Sequence, residues 1–172
     1  TDPVVFPEGG ASPTANYPAL GVYEGELRLC GLDEGELPSR VYPNYSQYFG
    51  VNSRIQVGIL TTASVSKQPS LVIDHAAFGG ESAALHLGYN ATKVSYPEVA
   101  TNVSFVVTNK SVVYLNTMNV GAVYNQYQDV RSLAADVKVD DARLEINYSV
   151  ELSSRTGVSS SWSLTNGSRL YA

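Results

Sequence analysis

Two histidines, one cysteine and three clustered aspartates are the side chains in this chain with the most obvious reactive potential. His75 directly follows Asp74, so on a strand the two side chains point to opposite faces, a poor arrangement for an acid orienting a base. His86 lies between Leu85 and Leu87 on the outward phase of an apolar stretch. The chain contains no G-x-S-x-G, no H-E-x-x-H, no P-loop and no G-x-G-x-x-G. Cys30 has no second cysteine to pair with and no basic cluster beside it in sequence, so it reads as a small apolar residue of a strand. Asp136, Asp140 and Asp141 gather in one turn, where oxygen ligands could hold Ca²⁺, but no spaced Ca²⁺ loop surrounds them. A solvated charged turn is the simpler reading. No catalytic residue, no metal site and no cofactor are expected.

The one chemical pattern that recurs is the N-x-[ST] acceptor for N-linked sugar. Six are present, at Asn44, Asn90, Asn102, Asn109, Asn147 and Asn166, drawn from 11 asparagines. Chance pairing with the Ser and Thr content gives about two. N-linked glycans at these six positions are therefore expected, on an extracellular chain. Strand phase fits this expectation. In residues 143–152, Leu144, Ile146, Tyr148, Val150 and Leu152 alternate with Arg143, Glu145, Asn147, Ser149 and Glu151, which puts Asn147 on the wet face. In residues 102–108, Val103, Phe105 and Val107 face one way, and Asn102 and Ser104 the other. Asn90, Asn109 and Asn166 fall at apparent strand ends or turns.

Composition narrows the classes further. The 172 residues suffice for one domain with a real core. Charged residues are only 16% and the net charge is −5, so a basic field for nucleic acid is absent. No apolar run reaches the roughly 20 residues of a membrane helix. With Thr1 at the start, a secretory signal is expected to have been removed before it.

The elements that would carry these residues read as strands. Stretches rich in Val, Ile, Leu, Tyr and Thr alternate with Gly, Pro, Asn and Asp clusters from Gly21 onward. Val137 and Val139, then Asp140-Asp141-Ala142, then residues 143–152 read as a hairpin, and Asn166-Gly167 as another tight turn. A short helical turn is plausible where Val130, Leu133, Ala134 and Val137 space as i, i+3, i+4, i+7, and a second near residues 81–85. About ten short strands without βα alternation predict an all-β, immunoglobulin-like β-sandwich. No internal repeat and no second domain are expected. Tyr17, Tyr23, Tyr42, Tyr45 and Tyr48 cluster in the first third and could form a sugar-binding shelf, although tyrosines more often cover apolar surface.

Residues 1–20 differ from the body at 21–172. Val4, Val5 and Phe6 stand between Pro3 and Pro7, and a Gly/Pro/Ala/Ser-rich linker follows. Three bulky apolar side chains on a terminus need burial, worth roughly 1.5–3 kcal/mol each. Either the arm folds back as an edge strand of its own body, or it is donated to a groove of another copy. Donation from copy to copy is a heterologous contact, which builds an open filament.

The apolar tail Val4-Val5-Phe6, the single β-body, the dense sequons and the near-absence of cysteine together resemble the pilins of archaeal threads. These are glycosylated surface filaments of immunoglobulin-like subunits joined by donor-strand complementation. The end 169-RLYA-172, with penultimate Tyr171, is also similar to the last strand of chaperone–usher pilins, without their disulfide. Archaeal bundling pilins of the jelly-roll type share the same strand-donation logic. The resemblance implies a non-enzymatic, extracellular filament subunit. Its donor strand is Val4, Val5 and Phe6, its partners are copies of itself, and it adheres to host, surface or neighbouring-cell targets. The alternative is a monomeric secreted or S-layer-associated adhesin or glycan-binding module, with the arm ordered on its own body.

Overall fold

The computed structural model describes residues 5–6, 20–22, 24–30, 46–49, 54–59, 68–80, 83–89, 101–121, 133–152 and 158–172. They form fourteen strands: β1 (Val5–Phe6), β2 (Leu20–Val22), β3 (Glu26–Cys30), β4 (Ser46–Phe49), β5 (Arg54–Ile59), β6 (Ser70–Asp74), β7 (Ala77–Gly79), β8 (Ala84–Tyr89), β9 (Thr101–Thr108), β10 (Val112–Val120), β11 (Leu133–Asp140), β12 (Arg143–Leu152), β13 (Val158–Thr165) and β14 (Arg169–Tyr171). Two sheets hold them all. The second sheet runs β13-β11-β9-β6-β3, and the remaining nine strands make the first.

Every strand pairing is parallel. That overturns the immunoglobulin-like β-sandwich, whose sheets are antiparallel. Parallel neighbours need a long crossover, usually a helix. Among the described residues no helix serves. Instead, the chain leaves a strand of one sheet, crosses to a strand of the other, and returns one layer further on. β9, β11 and β13 are successive passes through the second sheet, and β10, β12 and β14 through the first. The result is a stack of coils, a parallel β-solenoid.

In-register stacking puts like residues in columns. Leu71, Phe105 and Val137 form one inward column of the second sheet, extended by Leu27 below and Trp162 above. Leu29, Ile73, Val107, Val139 and Leu164 form the next. Facing them from the first sheet are Ile55, Leu85, Met118 and Val150, then Val57, Leu87, Val120 and Leu152. The middle members of these columns are fully buried in one apolar core.

β10 shows how the coil changes shape along the stack. Its residues Val112 to Tyr114 pair with β7, and Thr117 to Val120 pair with β8. One long strand therefore replaces two short ones. The irregularity between Leu115 and Thr117 marks the old break, and the N–H groups of Asn116 and Thr117 both turn to Ala83 O, at 2.8 and 3.4 Å.

Other local expectations change with the fold. Leu133, Ala134 and Val137 lie on β11, not on a helical turn, and Ala84 and Leu85 begin β8. Val130 is outside the described residues. β11 and β12 are consecutive but unpaired, so Asp140-Asp141-Ala142 is no hairpin: β11 pairs with β9 and β13. Asn166-Gly167 likewise joins β13 to β14, which pairs with β12. Both turns are corners between sheets.

An internal repeat is also present. Ile55-Gln56-Val57-Gly58, Leu85-His86-Leu87-Gly88 and Met118-Asn119-Val120-Gly121 occupy the same columns of β5, β8 and β10. All three glycines have positive φ, 78°, 70° and 72°. They place a left-handed turn of the backbone at the same point of each coil, within the last residues of β5 and β8 and just after β10. A Cβ on Gly88 would lie 2.6 Å from Leu133 Cδ1, so the turn also needs the missing side chain.

Candidate functional site: the corner ladder and the last coil

Where the second sheet hands over to the first, four corners stack: Asp74-His75-Ala76, Thr108-Asn109-Lys110-Ser111, Asp140-Asp141-Ala142 and Thr165-Asn166-Gly167-Ser168. His75, Asn109, Asp141 and Asn166 all take the left-handed conformation, with φ of 48°, 53°, 48° and 54°. Short and long corners alternate, and the serine of each long corner fills the gap. Ser111 Oγ donates to Thr108 O at 2.5 Å and accepts the N–H of Ala76 at 3.1 Å. Ser168 Oγ donates to Thr165 O at 2.5 Å and accepts the N–H of Ala142 at 3.2 Å. At 108–111 and 165–168 the Thr-Asn-x-Ser segment is thus a corner device.

Thr-Asn-x-Ser occurs three times: the copies with sequons Asn109 and Asn166 form these corners, while Thr101-Asn102-Val103-Ser104 lies on β9. Asn109 Nδ2 donates to Asp74 Oδ1 at 2.6 Å, and Asn166 Nδ2 donates to Asp140 Oδ1 at 2.6 Å. These bonds hold both carboxyls below the usual aspartate range. Asp74 owes this first to Asn109 and then to Arg28, whose Nη1 lies 2.7 Å away. Asp140 owes it to Thr165 first, then Asn166 and Lys138. Asn102 and Asn147 are exposed on the outer faces of β9 and β12, and Asn44 and Asn90 lie outside the described residues.

The remaining sequence-predicted groups do not converge. His75 sits in its corner with Nδ1 3.1 Å from Asn109 O, while His86 is on β8 of the first sheet. Cys30 is exposed at the end of β3. Asp136 accepts a bond from Ser161, and Asp140 is taken up by the corner. Among the described residues no group of three or more His, Cys, Asp or Glu could hold a metal ion. No helix there is long and apolar enough to cross a membrane. Of the expected tyrosine shelf, only Tyr48 is described, on β4.

Val5 and Phe6 form β1, which pairs with β4 of the same chain, Val5 opposite Tyr48 and Phe6 opposite Phe49. The described part of the arm is therefore an edge strand of its own sheet. Val4 lies outside the described residues.

The feature that sequence reasoning missed is the last coil. On β13 the inward side chains are Val158, Ser160, Trp162 and Leu164, by register with the buried side of β11. Nothing among the described residues stacks on them. Leu164 is 44% exposed, while its column neighbour Val139 is fully buried. Leu152 is exposed too, and Trp162, Val150 and Leu170 are half-buried, whereas Tyr171, in register with Glu145, lies on the outer face under the Arg143 guanidinium. Tyr148, expected inward, is displaced by the register shift in β12 and is 80% exposed. Among the described residues a core cross-section is thus open at one end, beside a strand edge with no partner there. One signal was available: the apolar-polar-apolar-Gly repeat, a mark of a stacked-coil fold. Comparisons with protein-family models, with curated proteins and with solved structures found no match for this chain.

Proposed function

We propose that the chain is a structural, non-enzymatic subunit of an extracellular, N-glycosylated surface filament, in which copies join head to tail through the two ends of the coil stack. The observation that carries this reading is the open last coil. Solenoids bury their apolar columns by stacking coils, and among the described residues the coil of β13 presents Leu152, Trp162, Leu164 and Leu170 without a coil above them. Each apolar side chain covered there adds up to roughly 1.5–3 kcal/mol. A parallel stack also has direction, so end-to-end contact between copies is heterologous and propagates. The joint proposed is the coil end, not the donated arm of Val4, Val5 and Phe6; in the single chain Val5 and Phe6 pair with β4. The extracellular, glycosylated setting rests on the sequons, of which Asn109 and Asn166 also have corner roles.

Light scattering of the native chain beside Leu164→Lys tests this. Leu164 is already 44% exposed, so the charge leaves the folded coil intact, as circular dichroism would verify. The native chain should grow in mass with concentration, and the variant should stay small. A native chain that stays monomeric at every concentration would overturn the filament reading.

A further inference from the structure

We infer that the joint between copies continues the second sheet, with β13 of one copy pairing in parallel with β3 of the next, Thr165 opposite Cys30. This rests on the filament reading and specifies its interface. β13 and β3 are the two edges of that sheet, each with a strand neighbour on one side only among the described residues. The columns already aligned through β6, β9 and β11 fix which residues would meet. Leu27 and Trp162 belong to one inward column, Leu29 and Leu164 to the next. Both ends of these columns are apolar and partly uncovered, so the second copy brings to the exposed Leu164 the residue type that Val139 offers from below.

The outward rows are compatible as well. β3 carries Glu26 and Arg28, with Arg28 bonded to Glu26 Oε1 at 3.1 Å and to Asp74 Oδ2 at 2.7 Å. The outward row of β13 is Ser159, Ser161, Ser163 and Thr165, with no charge, so no like charges would stand opposite each other. A one-residue slip would turn Leu27 and Leu29 outward, which the apolar end disfavours. A two-residue slip keeps the faces and would set Cys30 opposite Ser163.

The native cysteine makes the register measurable. In the inferred joint, Thr165→Cys places a thiol directly opposite Cys30 of the next copy, within the Cα spacing a disulfide accepts. Oxidation of the assembled variant should give a ladder of covalent dimers, trimers and longer chains on a non-reducing gel. Peptide mapping should show residue 30 joined to residue 165. Ser163→Cys should cross-link roughly tenfold less, because a diagonal neighbour lies near the upper limit of disulfide reach. Changing Cys30→Ser in the Thr165→Cys chain should abolish the ladder. Because Thr165 also bonds Asp140, a Leu29→Cys, Leu164→Cys chain lacking Cys30 reads the neighbouring column independently.

Cross-linking equal or greater from Ser163→Cys would overturn the register. Assembly with no cross-link from either column would overturn the sheet-continuing joint and leave the filament reading standing. A chain that never assembles removes the filament reading itself, and this joint with it.

Discussion

Ser111 has no exposed surface, yet its hydroxyl lies within bonding distance of three backbone groups, Thr108 O of its own corner and Ile73 O and Ala76 N at the corner before it. Removing the oxygen leaves the N–H of Ala76 buried without a partner, a loss of about 1–3 kcal/mol. Ser111→Ala should therefore lower stability by about that amount in urea unfolding, and Ser168→Ala by less, since Ser168 is half-buried in the last coil. Equal small losses at both sites would show that the hydroxyl does not lock the corner. The same residues show what was legible at this scale. Asn109-Lys110-Ser111 and Asn166-Gly167-Ser168 were visible as sequons, and the preceding threonine does not single them out, since Thr101-Asn102-Val103-Ser104 on β9 has the same pattern. A sequon match cannot by itself separate a sugar acceptor from an asparagine that takes a left-handed turn and a serine that caps it.

Faces of strands were readable, and partners were not. Val103, Phe105 and Val107 are buried and Asn102 is exposed, as alternation requires. A period of two is the same for parallel and antiparallel strands, so it carries no information on direction. Turn chemistry misled for a related reason. Asp141 and Asn166 take the left-handed conformation that hairpin turns use, but here it bends the chain from one sheet to the other. The glycine column gives the test at this scale. Gly88→Ala combines a positive φ with a Cβ 2.6 Å from Leu133, whereas Gly25, at φ 69°, has open space around it. Gly88→Ala should cost about 1–3 kcal/mol more than Gly25→Ala by chemical denaturation. Equal costs would mean that the coil does not close tightly at Gly88.

The whole molecule is a directional stack whose buried columns run out at the last coil. Composition pointed to an all-β chain, but the open end was illegible. Leu164 and Val139 look alike in sequence, and only the order of strands makes one exposed and the other buried. The arm was partly legible: Val5 and Phe6 do form an edge strand, on their own chain. In the proposed assembly the joint lies at the coil of β13 and does not require donation of Val4, Val5 and Phe6.

The central claim is that this end is covered when copies assemble, and the chain carries its own reporter. Trp162 is the only tryptophan, half-buried in the inward column that the next copy would cover. The most direct measurement is its fluorescence emission as the native chain is diluted from assembling to dilute conditions. The account predicts a blue-shifted emission at high concentration that moves to the red on dilution, in step with the fall in mass. Emission that stays constant while the mass falls would contradict it, because the copies would then be meeting somewhere other than the last coil.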